Sequence, residues 1–356
     1  MNKMLNRYIS TLPPQAPRKQ RGLTLVELMI AMTVGLVLLG GITSIMISSR
    51  QTYKVNEAMS RMQDSARYAF QVLSRDVRMA GYFGCIGSDT SVQNNLSTST
   101  SYLWNFGKAI EGYDATGAGW SPSADASIVS PLTGTDIIVI RGTAGEGSSS
   151  PIKIVNQPGG TPPGSADLKV GAGSGLADGD VVMASDCLAA TAFQITNFSS
   201  AGGGFDNVVH NTGALGGLVP GNAVKELGHE YTGGELMKVS TRAYYIRTNS
   251  YSHPALYRIV GTTPAEELVE GVENMQIQYG EDTNGDYTAD VYHTAATVVD
   301  WGKVVSVRID LLMQTVDDNI ASVKQPYTYN GSTTTPGDRR LRQVYSTVIA
   351  LRNRAL

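Results

Sequence analysis

The chain is short of the residues that most catalytic and metal-binding proteins lean on: two cysteines, four histidines, three tryptophans and six phenylalanines in 356 residues. Two cysteines, Cys85 and Cys187, are too few for a disulfide-dense scaffold and lack the clustered spacing of a zinc site. The histidines, His210, His229, His253 and His293, are scattered. No H-E-x-x-H occurs, and the stretch GHEY at 228–231 supplies one His-Glu pair without a second ligand. There is no G-x-S-x-G elbow, no P-loop, and no G-x-G-x-x-G between a strand and a helix. The glycines of AGGGF at 201–205 have no Lys-Ser/Thr after them and read as a flexible turn. These absences argue against an enzyme.

Acid is missing from residues 1–22, which hold Lys3, Arg7, Arg18, Lys19 and Arg21. With that block set aside, the rest of the chain is acidic, so no basic surface of the kind that neutralises phosphates is expected and nucleic acid is excluded as a partner. Proline is missing from Leu23 to Ala80, and charge is missing from Leu23 to Ile47 except at Glu27. A helix of that apolar length, at about 1.5 Å per residue, covers the roughly 30 Å hydrocarbon core of a bilayer. The positive block before it, against the mixed Arg50, Lys54, Glu57, Arg61 and Asp64 after it, puts the N-terminus in the cytoplasm and everything past residue 50 outside. The apolar stretch ends SIMISSRQTYK with no A-x-A-like site, so the helix is expected to stay on the mature chain.

An ionisable group inside a membrane span is costly and marks function. Here Glu27 follows the junction RG/LTLVELMIA at 21–31. That junction resembles the class III signal of type IV pilins and pseudopilins. The resemblance implies that a prepilin peptidase cuts after Gly22 and methylates the new N-terminal residue, Leu23. The freed amine then lies four residues from Glu27, and in a bundle of such helices the carboxylate of one chain can pair with the amine of its neighbour, an attraction strengthened by low dielectric. The carboxylate also faces the positive end of its own helix.

Beyond Arg50 the apolar positions Val55, Met59, Met62, Ala66, Ala69, Phe70, Leu73, Val77 and Ala80 follow the three-four alternation of an amphipathic helix. Gly81 is a plausible stop. One helix over 23–80 is therefore expected, with 23–47 as transmembrane segment or filament core. Gly35, Gly40 and Gly41 form no strict G-x-x-x-G and read as ordinary membrane-helix glycines.

From residue 81 to about 130 the chain is rich in Gly, Ser, Thr and Asn and reads as long loops with some local structure, and 156–175 reads as a turn-rich loop. Strand-like runs follow at 135–142, 151–156, 179–185, 191–198, 235–248, 255–260, 272–280, 303–315 and 342–353. The expected fold class is α+β, one long N-terminal helix packed on a mainly antiparallel sheet domain. The division reads as a cytoplasmic leader over 1–22, the helix over 23–80 and an exported β-rich domain over 81–356.

The blocks RDVRMAGYFGC at 75–85, VENMQIQYGEDTNGD at 272–286, WGKVVSVRIDLLMQT at 301–315 and YSTVIALRNR at 345–354 resemble PilW, a type IV pilus-assembly minor pilin family, itself similar to the GspJ minor pseudopilins of type II secretion. The resemblance implies a pilin-like fold and a role in priming pilus assembly at the tip. It also implies as partners the prepilin peptidase, other minor pilins, the major pilin and a large tip adhesin. The location it implies is the inner membrane with the body in the periplasm, then the pilus. A GspJ-like pseudopilin, or a membrane-anchored calcium-binding or adhesive module, is the alternative.

Three further expectations concern the exported part. In an exported chain Cys85 and Cys187 are most simply one disulfide, with two separate buried thiols as the other reading. In EDTNGDYTADVYH, the residues Asp282, Asn284, Asp286 and Asp290 could set oxygen ligands round Ca²⁺, although Tyr287 and His293 occupy positions where an EF-hand has glycine and its bidentate glutamate. A polar hairpin loop is the plainer reading. Tyrosine is abundant, 17 residues. Those rings suit subunit interfaces, and ordinary sheet preference explains them equally well.

Overall fold

The computed structural model describes residues 22–86, 92–143, 151–159, 164–217 and 219–354. The leader expected over 1–22 lies outside the described residues except for Gly22. The helix α1 runs Leu25–Arg78, and the chain falls into two compact units that divide within it, one up to Lys54 and one from Val55 onward.

The first unit is helical. Among the described residues its apolar side chains are uncovered: Leu23 is 77% and Val37 75% exposed, and none of the most apolar 18-residue stretch is buried. Its threonines spend their hydroxyls on the helix itself, Thr33 donating to the carbonyl of Ile30 at 2.9 Å and Thr43 to that of Leu39 at 2.8 Å. Such back-bonding lets these threonine hydroxyls sit without water.

In the second unit the helix buries Met62, Ala66, Ala69, Val72, Leu73, Asp76 and Val77. The expected stripe is there, with Phe70 at its margin and with Val72 and Asp76 added. Past Arg78 the chain turns at Gly81, whose φ of +71° suits glycine and whose missing side chain lets the backbone close on Ala109.

The strands are, in order, β1 (Val92–Asn94), β2 (Ile110–Thr116), β3 (Gly119–Ser121), β4 (Ile137–Thr143), β5 (Ile152–Asn156), β6 (Asp167–Gly171), β7 (Val181–Ser185), β8 (Ala190–Gln194), β9 (Asn197–Gly202) and β10 (Phe205–Val209). The long β11 (Glu235–Thr248) follows, with β12 (Pro254–Val260), β13 (Glu266–Glu270), β14 (Val272–Glu281), β15 (Val291–His293), β16 (Val304–Gln314), β17 (Tyr327–Tyr329), β18 (Ser332–Thr334) and β19 (Arg342–Ala350). All described pairs are antiparallel except β1 with β8. β11 organises the large sheet: its second half pairs β4 on one side and β12 on the other, and its first residues pair β7 and β5. A second sheet has the order β15-β14-β16-β19.

The main core joins α1 to both sheets. Leu73 and Val77 share it with Ile138 and Ile140 of β4, Tyr244 of β11, Ile277 of β14 and Ile309 and Leu311 of β16. Each fully buried aliphatic side chain of this size contributes about 1.5–3 kcal/mol. A second core, with Ile154, Val170, Phe193, Val208 and Leu236, fills the β5–β10 region.

The local structure expected before residue 130 is the strands β1, β2 and β3. Two readings need correction. The stretch 156–175 contains strand β6. The run 191–198 is two strands, since Ile195 and Thr196 leave the ladder between β8 and β9. AGGGF at 201–205 is a turn, as read, and it closes a hairpin between β9 and β10 with positive φ at Gly202, Gly203 and Gly204.

Candidate functional site

The N-terminus of α1 is built by two side chains. Thr24 donates its backbone N–H and its hydroxyl to Glu27 Oε2, each at 3.0 Å, and Thr24 Oγ1 accepts the N–H of Glu27 at 3.2 Å. This is a reciprocal capping box, which satisfies donors that a helix start leaves open and holds the carboxylate against the helix end. Its signal, T-x-x-E before an apolar run, was available in the sequence. Gly22 and Leu23 precede the helix. An added Cβ at Gly22 would meet nothing within 4 Å, and the same is true of Gly35, Gly40 and Gly41. Among the described residues nothing near these positions demands glycine.

Cys85 and Cys187 are joined in a disulfide with their Cα atoms 4.8 Å apart, which ties the segment after α1 to the β7–β8 connection. Beside it His229 Nε2 lies 2.7 Å from Asp186 Oδ2, and Asp186 also accepts the N–H groups of Leu188 and Ala189. Burial would raise the Asp186 carboxyl, but these donors outweigh it and hold it below the usual range.

The other histidines do not meet. His253 pairs with Glu270 at 2.7 Å, His293 lies 3.4 Å from Glu281, and His210 is buried against Phe193. Asp282, Asn284, Asp286 and Asp290 do come together in the β14–β15 connection, and their oxygens are engaged with the loop. Asp282 accepts the N–H groups of Asn284, Gly285 and Tyr287, at 3.1, 2.6 and 2.8 Å. Asp290 accepts both the N–H and the hydroxyl of Thr283, and Asp286 accepts the N–H of Thr288. Partial burial would raise Asp282, but the backbone donors prevail and lower it. Among the described residues no group of three or more His, Cys, Asp or Glu is arranged to hold a metal. The geometry is that of a hairpin loop closed by its own carboxylates.

Seven of the tyrosines, Tyr102, Tyr113, Tyr231, Tyr244, Tyr245, Tyr257 and Tyr279, are buried in this chain's own core, where they cannot meet another subunit. Gly112 exists for one of them: a Cβ there would overlap the Tyr279 hydroxyl. Two buried charge networks were not expected from the sequence. Asp76 of α1 meets Tyr244 and Arg242, and Arg141, whose side chain is fully buried, meets Glu111 at 2.7 Å and donates to the carbonyls of Tyr102 and Lys108. Asp76 falls three residues after Leu73, on the buried stripe, so its spacing was a usable signal.

The described chain thus has an apolar, uncovered helix with a Thr24–Glu27 capping box at its start and a mainly antiparallel sheet body. Residues 17–43 match the prokaryotic N-terminal methylation motif. Residues 243–353, from the second half of β11 through β19, match the family model Type IV Pilus-assembly protein W, and the chain resembles the PilW family there. Among solved structures, a type IV-like pilin from Thermus thermophilus matches at 11% identity and a TM-score of 0.32, over 83% of this chain and 99% of that one. No curated protein matches the chain.

Proposed function

We propose that the chain is a minor pilin of a type IV pilus. A prepilin peptidase cuts between Gly22 and Leu23 and methylates Leu23, and the retained helix anchors the chain in the inner membrane, with its body in the periplasm, before passing into the filament. There Glu27 pairs with the N-terminal amine of a neighbouring subunit. Its work is structural rather than enzymatic: with other minor pilins it primes assembly and sits at the tip, next to the major pilin below and a large adhesin above. The observation that carries this reading is the methylation-motif match over 17–43, coinciding with a helix of which no part of the most apolar stretch is buried. Such a surface needs lipid or other helices around it.

The test is mass spectrometry of sheared surface filaments. A peptide that begins at Leu23 and carries an added N-terminal methyl is the expected product. Processed chain confined to membranes, with protein secretion lost in a knockout and surface pili intact, would assign it to a secretion pseudopilus instead. An uncut Gly22–Leu23 bond would remove the pilin reading altogether.

A further inference from the structure

The strand β19 ends its sheet. Its odd-numbered residues bond to β16, as seen where Leu351 donates to the carbonyl of Val305 and Thr315 donates to that of Leu341 just outside the strand. Arg342, Val344, Ser346, Val348 and Ala350 therefore direct their N–H and C=O groups away from β16. Among the described residues no strand pairs with them. Natural edges of this length are normally blunted by charge, proline or a bulge, and β19 has none of these between Gln343 and Leu351. The other sheet ends are different. β1, β3 and β15 have three residues each, β9 runs into the Gly202–Gly204 turn, and β13 carries Glu266, Glu267 and Glu270. On the outer face of β19, Ser346, Val348 and Ala350 are exposed, Val348 by 58%. The opposite face is sealed into the main core through Ile349.

We propose that this edge receives an extended segment of a different exported protein, which adds to the sheet as a strand beside β19. An edge of backbone donors and acceptors about 30 Å long is complementary to another extended backbone and to little else. Cross-strand neighbours for Val344 and Val348 call for β-branched or aromatic residues at alternate positions of the incoming strand. Exposed Arg352 at the end of the edge calls for an acid opposite it. A second copy of this chain fits poorly. The two-fold pairing that engages all five residues, centred on Ser346, brings Arg340 and Arg352, the cations just past either end of the strand, near each other at both ends, and like charges brought close are destabilising. The inference does not depend on the pilus reading, since it needs only an exported body.

The experiment places a photo-crosslinking amino acid at Val348 of the full chain in its native cells. A control carries it at Val299, which is 86% exposed and outside any strand. After irradiation the crosslinked peptides are sequenced. The expected result is one segment of another protein attached at 348 and absent at 299, and its loss when Ser346→Pro is added. That proline removes an outward N–H and leaves the bonds to β16 in place. Should Ser346→Pro misfold, Ser346→Lys charges the same edge without changing the backbone and should abolish the product equally. Attachment to a second copy of this chain, no product at 348, or a product that survives both edge variants would overturn the proposal. Cleavage after Gly22, scored in the same cells, separates this outcome from failure of the pilin reading.

Discussion

Tyr244 in β11 donates its hydroxyl to Asp76 Oδ2 in α1 at 2.5 Å, and both side chains are buried. Arg242, two residues earlier on the same strand, places Nε 3.4 Å from the same oxygen. The last turns of the helix are thus held on the large sheet by a carboxylate in the apolar stripe, with one neutral and one cationic donor. Burial pushes the Tyr244 hydroxyl well above its ordinary value, and the neighbouring Asp76 charge adds to this, so it remains a donor at every physiological pH. Removing Asp76 leaves the buried Arg242 charge without a carboxylate, with the Thr143 carbonyl as a neutral acceptor. Asp76→Ala should cost about 3–5 kcal/mol, the range for breaking a buried pair, while Tyr244→Phe should cost about 1.5–3 kcal/mol. Denaturant unfolding of the two single variants and the double variant checks this. If the two costs simply add, the side chains are not coupled.

The disulfide closes a loop with a sequence separation of 102 residues. Chain-entropy arguments put its contribution at about 4–5 kcal/mol. Cys85→Ser with Cys187→Ser should lower the unfolding midpoint by a corresponding amount, and reductant should reproduce the effect in the parent chain. A change below about 1 kcal/mol would mean that the unfolded chain is already constrained there.

Two buried groups set opposing pH dependences. Burial drives the His210 imidazole down to about 4, and neither ring nitrogen has a hydrogen-bond partner among the described residues. The unfolded chain takes up that proton near 6.5, so stability falls as pH drops from about 6.5 to about 4, by about 3 kcal/mol. Burial pushes Asp136 up to about 6, against the N–H groups of Ala115 and Ile277. The folded chain keeps that proton while the unfolded one loses it near 3.8. Its contribution is therefore full at low pH and is lost between about 4 and about 6, again by about 3 kcal/mol. The two nearly cancel across that window. His210→Phe removes one arm, so its stability relative to the parent should rise as pH falls from 7 to 4.5. A constant difference between the two pH values would reject this account.

The loop from Asp282 to Asp290 is satisfied by its own donors. Millimolar Ca²⁺ is expected to leave the melting temperature unchanged, and Asp282→Ala should loosen the loop, exposing the amides of Gly285 and Tyr287 to fast hydrogen exchange. A calcium-dependent rise of several degrees would show that the carboxylates can exchange those donors for a cation.

Thr24 holds Glu27 in place at the helix start. Thr24→Val keeps the shape and removes the hydroxyl. The loss of such a cap is worth about 1 kcal/mol, so exchange of the amides of residues 25–28 in micelles should accelerate about fivefold. Cleavage after Gly22 should be unaffected, and Glu27→Val should likewise be cut but enter filaments poorly. Normal entry of Glu27→Val would remove the ion-pair role.

Much of this was legible along the chain. The strands with strong alternation, β4, β11, β12, β14 and β16, sit where Val, Ile, Tyr and Leu predict them, and the helix stripe from Met62 to Val77 follows its spacing. Strand β6 was not legible because Asp167–Gly171 is short and set among glycines and prolines, and its strand state is created by β5 and β10 on either side. Tyrosine content fitted subunit interfaces and ordinary sheet preference equally well. Only the packing of Tyr244, Tyr245 and Tyr279 decided for the core.

The sequence by itself determined the features that depend on local order: an apolar run too long and too free of charge for a soluble surface, a cleavage-like Gly22, a glutamate at a helix start, and alternation that demands sheet. Tertiary structure alone decided which residues meet. Asp76 finds Tyr244 across 168 positions, Arg141 finds Glu111, the carboxylates of the 282–290 loop turn to their own backbone, and β19 is left at an edge among the described strands. Such pairings depend on loop closure and on the competition among strands for partners, which no local pattern encodes.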